Sequence, residues 1–293
     1  MAYAKLSSSM LVCKEPSATA PKQSTAAGIT LIPEEREEAR LLAGCLKALK
    51  LPTFLRDWEE AARQCAAQGL GHPRYLLRLA EAELAERHGR KVERLVKQAR
   101  FPAVKSLDEF EFERVPGLDK GAVLELAECE YVARRENVVA VGPGGTGKTH
   151  IALGLGLAAC RKGISVGFTT VASLTEELVE ARAEKRLVRL ERRLDACSLL
   201  IVDELGYAPL SAAGAELFFE VVSRRCERGS IILTSSLPMQ EWVGIFGSER
   251  LTAALLDRLS RRLHVIETDG ESYRLEHGEP PAASPFVFAK LAG

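Results

Sequence analysis

Gly142-Pro143-Gly144-Gly145-Thr146-Gly147-Lys148-Thr149 fills the pattern G-x-x-x-x-G-K-[ST] between a short apolar run and a helical one. The chemistry this spacing supports is capture of a nucleoside polyphosphate. Glycines let the main chain wrap closely around a phosphate chain with its N–H groups inward, and the positive end of the following helix adds to the attraction. Lys148 then reaches the β and γ phosphates, and the Thr149 hydroxyl ligates Mg²⁺. A second element, Ser198 to Glu204, is an apolar run ending in two acids. A carboxylate at the carboxyl end of a strand sits at the lip of a sheet, where ligands bind. Asp203 is suited to hold Mg²⁺, directly or through water, and Glu204 to orient and polarise an attacking water. That pairing favours hydrolysis over transfer to a second substrate, since a kinase gains nothing from an activated water.

Two further stretches are less specific. Ile231 to Ser236 is an apolar run closed by hydroxyl residues, so Thr234 or Ser236 could sense the γ-phosphate or hold the water. A strand-end turn accounts for the same residues, because Ser and Thr bond locally to backbone. Glu249 to Leu259 reads as a helix with arginines near both ends. An arginine reaching a neighbouring subunit's γ-phosphate would stabilise transition-state charge and make hydrolysis depend on assembly. Arg258 is the candidate, with Arg250 behind it; a surface ion pair is the alternative. His150 is assigned no role, since a lone histidine in a helix is more often packed or capping.

Positioning these groups requires alternating strands and helices. Short β-branched runs predict strands over Val138–Val141, Ser165–Thr169, Leu199–Asp203, Ile231–Ser235 and His264–Thr268. Helical patterns fall between them at His150–Arg161, Ser173–Leu194, Gly214–Glu227 and Glu249–Arg262. The expected fold is α/β, a parallel sheet flanked by helices and preceded by a small all-α domain. Residues 1–33, rich in Ser, Ala, Thr and Pro, read as a disordered tail; 34–100 as amino-terminal helices interrupted at Pro52, with Gly89 as a candidate second break; 101–117 as a linker. The ATPase domain is expected over 118–275 and a second tail over 276–293. Phe110 and Phe112 in the linker are expected to dock on the domain that follows.

The 293 residues are 46% hydrophobic and 27% charged, which excludes global disorder and suits one large domain plus a small one. Forty basic residues balance forty acidic ones, so attraction to nucleic acid must be local. Arg87, Arg90, Lys91, Arg94, Lys97 and Arg100 form one basic segment, and Arg182, Lys185, Arg186, Arg189, Arg192 and Arg193 another. Each is open to two readings, a duplex-contacting face or an ordinary charged helix surface. The seven cysteines make no C-x-x-C pair, and no run approaches the ~18 apolar residues of a membrane span. A reduced cytoplasm, without membrane contact, is the expected setting.

At Gly142 to His150 (GPGGTGKTH), Leu200 to Tyr207 (LIVDELGY), Thr234 to Trp242 (TSSLPMQEW), Phe246 to Leu259 (FGSERLTAALLDRL) and Gly270 to Leu275 (GESYRL) the chain resembles the IstB-like ATP-binding proteins. These are helper ATPases of bacterial insertion sequences, similar in turn to the helicase loader DnaC and the initiator DnaA. The resemblance runs from about Leu41 to Leu275. It implies an AAA+ ATPase that uses ATP and Mg²⁺, assembles as a homo-oligomer on duplex DNA, and is engaged by a cognate transposase that triggers hydrolysis. It further implies that Gly142 to Thr149 bind the phosphates, that Asp203 and Glu204 are the acidic pair, and that Arg258 acts in trans. One departure stands out: the family commonly carries asparagine where this chain has Ser236, which is shorter and has no amide to position water. Two rivals share these motifs, a helicase loader and a non-hydrolysing adaptor gated by ATP.

Overall fold

The computed structural model describes residues 33–269. The tails expected at both ends and the Gly270 to Leu275 phrase lie outside the described residues, apart from Pro33, which opens the first helix. The chain divides into two compact units between Leu79 and Ala80.

The first unit holds α1 (Pro33–Ala48), α2 (Pro52–Ala67) and the start of α3 (His72–Ala99). Pro52 opens α2 where its missing N–H costs nothing. Leu46, Cys65 and Leu79 are buried there, and Tyr75 Oη donates to the Trp58 carbonyl at 3.3 Å. Gly89 does not break α3, which continues to Ala99. The unit division therefore falls inside a helix rather than at residue 100. The reason is that Val92 is half-buried and Leu95, Val96 and Ala99 turn toward the core of the second unit.

In the second unit the connector forms two 3-10 turns, Leu107–Glu109 and Phe112–Arg114, followed by α4 (Lys120–Ala127) and α5 (Glu130–Arg134). Phe101, Leu107, Phe110 and Phe112 all pack into the core beside the sheet, so the linker aromatics dock as expected. Then come β1 (Asn137–Val141), α6 (Lys148–Arg161), β2 (Val166–Thr170), α7 (Val171–Ala183), α8 (Leu187–Asp195), β3 (Leu199–Leu205), α9 (Ala212–Arg228), β4 (Ser230–Ser235), α10 (Val243–Phe246), α11 (Glu249–Ser260) and β5 (Leu263–Glu267). All strand pairs are parallel, in the order β2-β3-β4-β1-β5.

Alternate strand residues enter two different cores. Val138, Ala140 and Ile232 meet Ile151, Leu155 and Ala159 of α6, whereas Val139, Val141 and Leu233 join the core formed by α7, α9 and α11 through Leu174, Phe218 and Leu255. Covering both faces is what makes these strands apolar at nearly every position. One expected element is corrected: Ser173–Leu194 is two helices, not one. Lys185 takes a left-handed conformation (φ +57°) between α7 and α8. That break lets Leu187, Leu190 and Leu194 face the same core as Leu174, Leu178 and Ala181, which a straight helix could not do. Arg225 of α9 is fully buried and donates to the carbonyls of Leu194, Cys197, Ser198 and Ser230, tying the starts of β3 and β4 together.

Candidate nucleotide site

Val141 lies opposite Ser235 in the ladder, so the glycine loop leaves β1 at the carboxyl edge of the sheet, between β4 and β5. Gly142 has φ +152°, and a Cβ there would sit 2.0 Å from the Thr268 carbonyl oxygen. No other residue type fits that contact. Thr268, just past β5, donates its N–H to the Val141 carbonyl at 2.8 Å, and its hydroxyl meets that of Thr146 at 2.7 Å. Thr146 is buried and also bonds the Pro143 carbonyl, so the loop is braced from both sides. At Gly147 (φ +90°) a Cβ would lie 2.5 Å from the Phe110 ring, which places the connector directly against the loop. His150 Nε2 is 2.8 Å from the Ser106 carbonyl and its ring stands edge-on to Phe110, fixing the connector to α6.

The start of α6 differs from those of its neighbours. Thr170, Ser211 and Ser248 cap α7, α9 and α11 through their hydroxyls, but α6 is preceded by Gly147 and has no side-chain cap. A helix start without a side-chain cap, with the dipole favouring negative charge, is suited to an anion. Lys148 is 8% exposed and its Nζ donates to the Pro143 carbonyl at 2.5 Å, within the loop it would serve.

Asp203 is buried at 4% exposure near the end of β3. One carboxylate oxygen, Oδ1, accepts from Thr149 Oγ1 at 3.0 Å and also from Thr234 Oγ1. A hydroxyl beside a buried carboxylate is a hard-oxygen donor set that suits Mg²⁺, which takes few protein ligands and keeps waters and phosphate oxygens. Thr149 and Asp203 are the residues that would hold it, and the ion would supply charge neutralisation at the β and γ phosphates. Glu204 is exposed and left-handed (φ +66°), where the β3–β4 register slips between Val202 and Leu205. A non-glycine residue pays roughly 1–2 kcal/mol for that conformation. Its amide donates to Thr234 Oγ1 at 3.0 Å. The two hydroxyl candidates on β4 thus separate: Thr234 lies beneath the acids, while Ser236 is exposed at the rim with its N–H on the Leu205 carbonyl at 3.3 Å. Ser235, between them, is taken up by Leu237 and by Trp242 Nε1.

Arg258 is not brought to this cluster. It lines a cavity of about 320 Å³ with Arg135, Asn137, Glu227, Arg261 and Arg262. Asn137 begins β1 and the glycine loop follows its end, so about 13 Å of strand separates the two edges. Arg258 Nη1 lies 3.5 Å from a Glu227 carboxylate oxygen, and Arg135 Nη1 donates to the Glu227 carbonyl at 3.0 Å. Arg250 is exposed on the first turn of α11. Sequence reasoning passed over Arg261 and Arg262, although they follow Arg258 at helical spacing, and Arg135 gave no local signal. Beside the cavity, hydrogen bonds from His264 and Arg134 hold the Glu136 carboxyl below its ordinary range. Burial pushes the Cys129 and Cys160 thiols up to about 11, so neither is a thiolate at neutral pH.

No helix among the described residues is long and apolar enough to cross a membrane. The family model described as IstB-like ATP binding protein matches residues 44–280. The chain is 40% identical over 231 residues to a protein of Pseudomonas aeruginosa described as the ATP-binding protein of insertion sequence IS21, covering 79% of this chain and 87% of that one. It is 35% identical over 227 residues to the corresponding protein of insertion sequence IS5376 from Geobacillus stearothermophilus, covering 78% and 90%. Among solved structures it is similar to AMPPCP-bound DnaA from Aquifex aeolicus, with a TM-score of 0.49 and 20% identity over 60% of this chain and 54% of that one. With the phosphate loop and acidic pair assembled at one sheet edge, and the family match spanning both compact units, the chain belongs to the IstB-like ATP-binding proteins of bacterial insertion sequences.

Proposed function

We propose that the protein is an ATP-hydrolysing, DNA-binding AAA+ helper of transposition that works in the cytoplasm. With ATP and Mg²⁺ bound it assembles as a homo-oligomer on duplex DNA and recruits the cognate transposase. Gly142 to Thr149 hold the phosphates, Thr149 and Asp203 the Mg²⁺, and Glu204 polarises the attacking water. The observation that carries this reading is the separation of Arg258 and its arginine-lined cavity from Lys148, Thr149 and Asp203 by the length of β1. A copy stacked head-to-tail presents its arginine edge to its neighbour's phosphate edge, so hydrolysis follows assembly; a repeat of that kind grows as a ring or a helix.

Two surfaces support a duplex partner. On α3, Val92, Leu95, Val96 and Ala99 face inward, which leaves Arg87, Arg90, Arg94 and Lys97 exposed at intervals of three or four residues. At the α7–α8 break, Arg182, Lys185, Arg189 and Arg192 are exposed as well, while Arg186 and Arg193 pair with Glu184 and Glu177. Stacked copies would line such patches into a track for phosphates.

The test follows complex size and affinity on a plain duplex with ATP, ADP or a slowly hydrolysed analogue, across salt, with phosphate release measured alongside. Large complexes that require the triphosphate, weaken steeply with salt and release phosphate on addition of the transposase are expected. Binding that ignores the nucleotide, or that needs a replicative helicase, would refute the reading.

A further inference from the structure

Thr234 occupies a singular position in the sheet. β4 lies between β1 and β3, so a side chain near the end of β4 sits between the strand that leads into the phosphate loop and the strand that carries the acids. Thr234 is 2% exposed and its hydroxyl is engaged twice. It donates to Asp203 Oδ1 and accepts the Glu204 N–H at 3.0 Å. A hydroxyl has a single hydrogen. With that hydrogen committed to Asp203, Thr234 cannot also donate to a phosphate oxygen. The Glu204 amide, for its part, sits where the β3–β4 register slips between Val202 and Leu205. In a regular ladder that N–H would point to a main-chain carbonyl; here a side chain takes its place and the backbone turns left-handed (φ +66°).

We propose that Thr234 is a positioning residue of the ATPase site, whose hydroxyl joins the Asp203 carboxylate to the Glu204 main chain and so sets the direction in which Glu204 leaves β3. The inference rests on the reading of Glu204 as the water-activating acid. It assigns Thr234 a task different from sensing phosphate. It also makes one carboxylate oxygen the meeting point of α6, through Thr149, and β4, through Thr234. Arrival of a cation at Thr149 and Asp203 is thereby linked to the setting of Glu204.

The test uses the full-length chain with Thr234→Val, which keeps the shape and removes the hydroxyl, and Thr234→Ser, which keeps the hydroxyl. Thr234→Val is expected to bind ATP within about threefold of the parent, with kcat lowered about 10²-fold and KM little changed. Thr234→Ser is expected to recover kcat to within about threefold. A kcat unchanged in Thr234→Val would overturn the inference, as would a loss of ATP affinity that Thr234→Ser does not restore. A crystal structure of Thr234→Val reads the positioning without turnover. Glu204 is expected to leave the left-handed region, and Glu204 still left-handed would overturn the inference even if the parent proved unable to hydrolyse ATP. A parent that releases no phosphate while the Thr234→Val backbone shifts would sink the hydrolysis reading alone.

Discussion

Arg258→Ala and Glu204→Gln are each expected to abolish ATP hydrolysis, and an equimolar mixture of the two is expected to regain it. An arginine acting on a neighbour's γ-phosphate contributes about 10³–10⁵ in rate, or roughly 4–7 kcal/mol of barrier. The loss should not come from unfolding. Arg258 pairs with Glu227 only at 3.5 Å, with side chains 39% and 70% exposed, a contact whose removal costs under about 1 kcal/mol. Nor should it come from binding, because the cavity holding Arg258 and the phosphate loop lie at opposite ends of β1. In a head-to-tail assembly drawn at random from equal amounts, an Arg258→Ala subunit supplying Glu204 meets a Glu204→Gln subunit supplying Arg258 at about one interface in four. Phosphate release on duplex DNA at fixed total protein should therefore rise to about a quarter of the parent rate at equal mixing and fall toward either pure variant. A mixture no more active than its components would refute completion in trans. Weaker ATP binding by isolated Arg258→Ala would instead place that arginine in its own subunit's site.

Lys148→Ala should lower ATP affinity by about 30- to 100-fold, the worth of a charge-assisted contact to phosphate, as measured with a fluorescent ATP analogue; unchanged affinity would mean the loop has been misassigned. Arg225→Met should cost about 3–5 kcal/mol in urea unfolding, because four carbonyls, at the end of α8, just before β3 and at the start of β4, lose their donor while a buried charge is also removed. A loss under about 1 kcal/mol would show that water replaces the guanidinium there.

The local sequence was enough to identify the glycine loop, the acids at the end of β3 and the strands themselves. Each is written in a few consecutive residues: glycines where the chain must approach Thr268 or Phe110, and apolar runs where a strand is covered on both faces. The IstB-like resemblance was legible in short phrases of the same kind, GPGGTGKTH and LIVDELGY among them. Less was legible where distant residues meet. The break at Lys185 was missed because Arg182, Arg186, Arg189 and Arg193 continue at helical spacing through it, although the leucine stripe shifts by about half a turn between Leu178 and Leu187, the shift that the break returns to the shared core. Gly89 pointed to a break that did not occur, since Leu95, Val96 and Ala99 pack as one stripe and outweigh the poor helix propensity of a single glycine.

What the sequence by itself determined, then, is where the glycine loop and the candidate acids lie and which segments must become strands and helices. What only the tertiary structure decided is the order of the strands. The apolar runs of β1, β3 and β4, buried at nearly every position, look alike to local periodicity, and nothing within them states that β4 inserts between β1 and β3. That insertion puts Thr234 under both Asp203 and Glu204, and the parallel direction of β1 and β5 carries Arg258, Arg261 and Arg262 to the edge opposite the phosphate loop, beside Arg135. Strand order is set by which helices cover which face and by the crossovers that lead there, contacts between residues tens to more than a hundred positions apart, and those exist only once the chain has folded.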